Sequence, residues 1–197
     1  SHLEKKAYRH AHADCMEALK RDPGEPRAYY LLGILTADHA NHAKAIDLFD
    51  RALTLSPQHP EVLAQKARSE MALLRRESAV RSADAAAVLA PDDALTLDTL
   101  GVVYSRAGLH DRSLEFYKRA TATAPDVSAY HYNLGAALQF VGHMDEAREA
   151  YRRCLILDPG ETRALAAIVQ ITKQTEADNQ IAELKAVFPS VAHKADD

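Results

Sequence analysis

ALTLDTLGVVYSRAGLHDRSLEFYKRATATAP, residues 94–125, decides the fold, because its spacing of small and apolar residues returns before and after it. Moved by one or two steps of 34 residues, Gly101 falls on Gly135 and Gly33, Tyr117 on Tyr151 and Phe49, and Ala120 on Ala86 and Ala52. Pro23, Pro57, Pro91, Pro125 and Pro159 keep the same step throughout. Unrelated loops of a globular domain hold no such register, and a period of this size marks supersecondary units stacked on one another. Apolar residues three and four apart predict two helices per unit. Gly108 is placed for the left-handed cap between them, and Asp111 lies near the start of the second.

Outward from this unit, the period divides the chain into one array over 1–197. Residues 1–25 read as the second helix of a truncated repeat, with Tyr8, Ala11, Cys15 and Ala18 on one face and a stop at Asp22-Pro23-Gly24. The opening SHLEKKAYRH has neither an initiator Met nor the apolar region of a secretory signal, so the chain is expected to begin inside a longer protein and to expose an apolar N-terminal seam. Four full repeats follow at 26–59, 60–93, 94–127 and 128–161, and Pro26 suits the first turn of its helix. The unit 60–93 departs most: Ala67 stands for the glycine, Ala83 for the aromatic, and LLRRE at 73–77 has no turn glycine. Less ring area to bury predicts the least stable or most tightly closed repeat. Residues 162–188 read as divergent capping helices, about 162–174 and 177–187, and 189–197 as a tail.

Composition narrows the function. Of 197 residues 47% are hydrophobic and none is Trp, which suits close helix packing. A net charge of -4 leaves no polybasic field for phosphate backbones, so nucleic acid is excluded as a partner class. The longest apolar runs, such as AAAVLA at 85–90, fall far short of the ~20 residues of a membrane span. Cys15 and Cys154 sit four repeats apart, too far to bridge, and read as small buried hydrophobes. Ten histidines invite a metal, but His10 and His12 point to opposite sides of a helix, His39 and His42 sit in a turn without acidic or cysteine companions, and HExxH is absent. No Ser or Cys stands beside a His on a rigid turn, so no catalytic nucleophile, cofactor or metal is expected.

At NLGAALQFVGHMDEAREAYRRCLILDP the chain resembles the tetratricopeptide repeat: leucine and glycine on the first helix, Ala147, Tyr151 and a small residue at Cys154 on the second, then Pro159. The resemblance is clean over 26–161. It implies an all-α, right-handed α-solenoid of stacked antiparallel helix pairs, with a concave groove that binds an extended or helical peptide. Spacings of three and four on each first helix place the groove face at Arg27, Tyr30 and Ile34; Glu61, Arg68 and Met71; Leu95, Asp98, Val102 and Arg106; Tyr132, Ala136 and Gln139; and Arg163 and Gln170. Asn133 resembles the asparagines that hydrogen-bond a peptide backbone in long arrays, with a local polar contact as the other reading. A subset of the family grips a terminal carboxylate with lysines and asparagines; Tyr30, Ile34, Gln65, Glu61 and Thr99 stand at those places, so that clamp is not carried over.

The stretch ALAAIVQITKQTEADNQIAELKAVF, 164–188, is similar to the segment that joins repeats to the catalytic domain in bacterial repeat-containing sulfotransferases. That resemblance implies the substrate-recognition region of a larger enzyme, with the catalytic part absent from this chain. The leading expectation is a non-catalytic, bacterial, cytoplasmic interaction scaffold with a protein or peptide partner. The alternatives are the sulfotransferase region and a self-assembling scaffold that joins copies through the exposed N-terminal helix.

Overall fold

A computed structural model describes residues 2–171, and the side chains of 7–171. Ten helices follow one another among these residues: α1 His2–Arg21, α2 Pro26–Asp38, α3 His42–Leu55, α4 Pro60–Ala72, α5 Arg76–Val88, α6 Ala94–Arg106, α7 His110–Thr123, α8 Ser128–Phe140, α9 Met144–Leu157 and α10 Thr162–Ile171. First helices begin at 26, 60, 94, 128 and 162 and second helices at 42, 76, 110 and 144, so both keep the 34-residue step of the prolines. The expected continuation of α10 to 174, the helix over 177–187, the tail, and most of the sulfotransferase-like stretch lie outside the described residues. The described residues form two compact units, one of 2–92 with 102–108, the other of 93–101 with 109–171.

The first unit shows why glycine and an aromatic recur together, one on each helix of a pair. A Cβ on Gly33 of α2 would lie 2.4 Å from Cε1 of Phe49 on α3. The ring is wholly buried with Ala45, Ala52 and Val62, and Tyr29, Tyr30 and Ile34 pack around it. In the second unit Gly101 meets Tyr117 at 2.6 Å and Gly135 meets Tyr151 at 2.7 Å in the same sense. Tyr151 anchors a core of Leu138, Ala147, Ala150, Cys154, Ala164 and Ile168. Cys15 and Cys154 are free and buried, each at a small-residue or ring position of the packing face.

The thin repeat closes differently. Ala67 and Ala83 are both fully buried, and between α4 and α5 lies a carboxylate: Glu70, 4% exposed, accepts from Ser78 Oγ at 2.8 Å and Ser82 Oγ at 2.7 Å. Ring bulk arrives from α6, where buried Tyr104 donates its hydroxyl to Asp84 on α5 at 2.9 Å. Two methyls thus replace glycine and ring, and a polar pin replaces the lost contact area.

The turns between paired helices share one backbone state. Ala40 (φ 58°), Leu74 (φ 59°), Gly108 (φ 74°) and Gly142 (φ 86°) stand one period apart, all in the left-handed region. Glycine enters it freely, whereas an L side chain there costs roughly 1–2 kcal/mol. At one position of the period a second helix touches the end of the next first helix: Tyr8, inside α1, meets His39 in a tilted contact with centroids 3.8 Å apart, Arg76 at the start of α5 donates to the carbonyl of Ala107, and His110 at the start of α7 stacks on Phe140 at 3.5 Å.

Burial also raises the pKa of two acids in the second unit. The Cys154 thiol is pushed up to about 11, first by burial and then by Glu161 and Asp158, and the Tyr151 phenol to about 12, by burial and then Tyr132. In the unfolded chain these groups ionise at their ordinary values near 9 and 10, so the unfolded state loses protons first. Their contribution to stability is full below about pH 9 and is lost as pH climbs towards 12. Urea midpoints measured from about pH 8 to 11 should fall over that window, with a shallower fall in Cys154→Ala. An equal fall in the variant would remove the thiol from this explanation.

Candidate functional site

In the first unit the site is built from two successive helix starts. Glu25 caps α2 from an extended backbone, its Oε1 accepting from the Arg27 amide at 3.0 Å, and Pro26 fills the first helical position. One period on, His59 precedes α4 in the same extended state, Pro60 follows, and His59 Nδ1 lies 3.1 Å from Glu61 Oε1. Proline at the first position removes an amide that would have no helical partner, which is why both helices begin alike. Between these ends lies a cavity of about 410 Å³. Arg27, Tyr30 and Glu61, named from sequence, line it, and so do Val62, Ala52 and His59, which sequence reasoning missed. Two of the missed residues carried a signal: Ala52 is a repeated small-residue position, and His59 precedes Pro60, one period from Pro26.

The cavity has an apolar floor and a charged rim. Val62 and Ala52 are buried; the Tyr30 ring leans on Phe49 with centroids 6.3 Å apart and forms a wall. Glu25, Arg27, His59 and Glu61 surround the opening with both signs of charge and with donors and acceptors. Such a recess can bury an apolar side chain while its rim satisfies the backbone that carries it. Of the other residues expected in this unit, Ile34 is half-buried against the Phe49 cluster, Arg68 and Arg106 are exposed, and Val102 is half-buried. Met71 is buried rather than groove-facing, because the α4 face that carries it closes onto its neighbours; Gln65 and Thr99 are buried as well.

In the second unit Asn133 Nδ2 donates to Asp98 Oδ1 at 2.8 Å, tying α8 to α6. Burial, then the charges of Asp98 and Asp93, hold the Tyr130 phenol above its ordinary range. Tyr132 lies under the Arg163 guanidinium at 4.5 Å and tilts against Tyr151 at 5.7 Å. Arg163 forks onto Glu161 through bonds of 2.8 and 2.6 Å, and these bonds hold the Glu161 carboxyl below the usual carboxylate range. Gln139 Oε1 accepts from Tyr151 Oη at 2.8 Å. Tyr132, Gln139 and Arg163 therefore belong to one connected set, while Leu95, Ala136 and Gln170 are exposed. Among the described residues no group of three or more His, Cys, Asp or Glu side chains is placed to hold a metal ion, and no helix is long and apolar enough to cross a membrane.

Comparison with known proteins matches residues 3–60 and 128–161 to the tetratricopeptide repeat, the second span coinciding with the repeat read at 128–161. Among curated proteins the chain is similar to human protein O-mannosyl-transferase TMTC1, 27% identical over 135 residues. That match takes in 66% of this chain and 15% of the transferase, so the chain spans a small part of that relative's length. Among solved structures it resembles YrrB, described as a tetratricopeptide protein with an unusual peptide-binding site, at a TM-score of 0.65 and 16% identity over 80% of this chain and 81% of that one. It also resembles TTC0263, a thermophilic tetratricopeptide protein of Thermus thermophilus, at a TM-score of 0.69 and 20% identity over 86% of this chain and 92% of that one. At these identities the likeness establishes the fold, an all-α repeat solenoid.

Proposed function

We propose that the chain, whose residues 3–60 and 128–161 match the tetratricopeptide repeat, is an interaction scaffold whose first-helix faces hold a peptide segment of a partner, with an apolar side chain in the cavity between α2 and α4. The observation that carries this is the meeting of Arg27, Tyr30 and Glu61, from two helices one period apart, around one recess with an apolar floor. A recess with an aromatic wall and an arginine at its edge has the composition of interface hot spots. Carboxylates and a guanidinium at the rim hold the register of the bound chain.

Selection of a random peptide library on the immobilised chain tests this. Selected peptides should lose about tenfold or more in affinity with Tyr30→Ala, about 1.4 kcal/mol. Helical circular dichroism should be unchanged, since Tyr30 is half-buried at the edge of its cluster. Peptides that bind Tyr30→Ala and Glu61→Ala as tightly as the original chain would sink this placement. A second reading, a recognition region within a larger transferase, draws support from the TMTC1 similarity. A transferase domain in the full reading frame supports it, and a frame without one removes it.

A further inference from the structure

We propose that the turn joining α4 to α5 is a second docking surface, on which Leu74 is held out for insertion into an apolar recess of an acidic protein segment. Two independent features single this turn out. Leu74 occupies the left-handed position that glycine fills at Gly108 and Gly142 and the smaller Ala40 at the first turn, and it alone of these four puts a large apolar side chain there, 89% exposed. A branched apolar residue there is unfavourable in backbone, and strain of this kind gathers at functional sites.

The surroundings set the chemistry of the partner. Arg75 is exposed beside Leu74, and Arg76 donates to the carbonyl of Ala107, which brings the end of α6 and its exposed Arg106 to the same place. Against these three guanidinium groups stand Glu77, exposed in the first turn of α5, and Glu70, which is buried with both oxygens bonded to serines. Guanidinium pairs with carboxylate in a two-bond fork, so a leucine in a basic collar fits an acidic segment whose apolar stripe has a leucine-sized gap. A bilayer fits less well: one leucine and three arginines fall short of the two signals that stable anchoring takes, and the chain carries a net charge of -4. Leu74 follows the far end of α4 from Glu61 and Val62, roughly 18 Å along the helix, so this surface is independent of the cavity.

Three probes test it on the whole chain: a labelled amphipathic helical peptide with leucines three and four apart on a glutamate background, its lysine counterpart, and phosphatidylserine vesicles. The acidic peptide should bind and lose about tenfold or more with Leu74→Gly, and similarly with Arg75→Ser combined with Arg106→Ser, with weaker salt dependence in the latter. Leu74→Gly should also raise Tm by about 2 °C or more, because it relieves the backbone. That rise separates lost docking from damaged folding. No binding of the acidic peptide to the unmodified chain, equal binding of Leu74→Gly, a lowered Tm in that variant, or Leu74-dependent binding to the vesicles or the lysine peptide would overturn the proposal.

Discussion

Replacing Phe49 by alanine should destabilise the chain by about 3–5 kcal/mol, and adding Gly33→Ala should then recover part of the loss, although Gly33→Ala alone should cost about 1–3 kcal/mol. The reversal follows from geometry. With the ring present, a methyl on Gly33 would sit 2.4 Å from it, and the ring is enclosed on every side, so the backbones of α2 and α3 must part. With the ring gone, the same methyl fills space that would otherwise be empty and adds the helix preference of alanine over glycine, about 1 kcal/mol. The chain already contains the doubly substituted state in Ala67 and Ala83, both fully buried. Urea unfolding of the two single variants and the double variant measures the coupling. Simple additivity would show that glycine and ring do not form a unit.

Glu70→Ala should cost about 3 kcal/mol, the range for hydrogen bonds to a charged group together with the space left in a closed interface. The loss is expected in spite of α4 and α5 keeping every apolar contact, because the hydroxyls of Ser78 and Ser82 both lose their acceptor. Glu70→Gln, which keeps the volume and one acceptor oxygen, should lose less than half as much. If Glu70→Ala melted with the original chain, the pin between these helices would carry no stability.

How much of this was legible in the residues follows from what each contact requires. Gly33, Gly101 and Gly135 with their aromatic partners could be read because close helix approach tolerates one residue type at one site and needs bulk opposite it, and the demand returns every period. The prolines at 26 and 60 could be read because each starts a helix at a place fixed by the repeat. Glu70 could not: a glutamate beside a serine near the end of a helix reads as a solvated face, and only the packing of α4 on α5 shows both carboxylate oxygens enclosed. The left-handed state of Ala40 and Leu74 was visible only by shifting Gly108 and Gly142 along the period. Met71, buried although it shares its helical spacing with exposed Arg68, shows that one helical face does not by itself separate surface from core. Which of the remaining positions meet around a recess depended on where His59 and Val62 lay, and helix periodicity does not supply that.

The most direct test of the recognition surface is a methyl-labelled NMR titration of the whole chain with a peptide selected on it. Shifts are expected at Val62 on the cavity floor and Ile34 beside Tyr30, with Val88 and Ile156, exposed on second helices, unmoved. Shifts confined to Val88 and Ile156, with Val62 and Ile34 unchanged at saturation, would contradict the proposed surface.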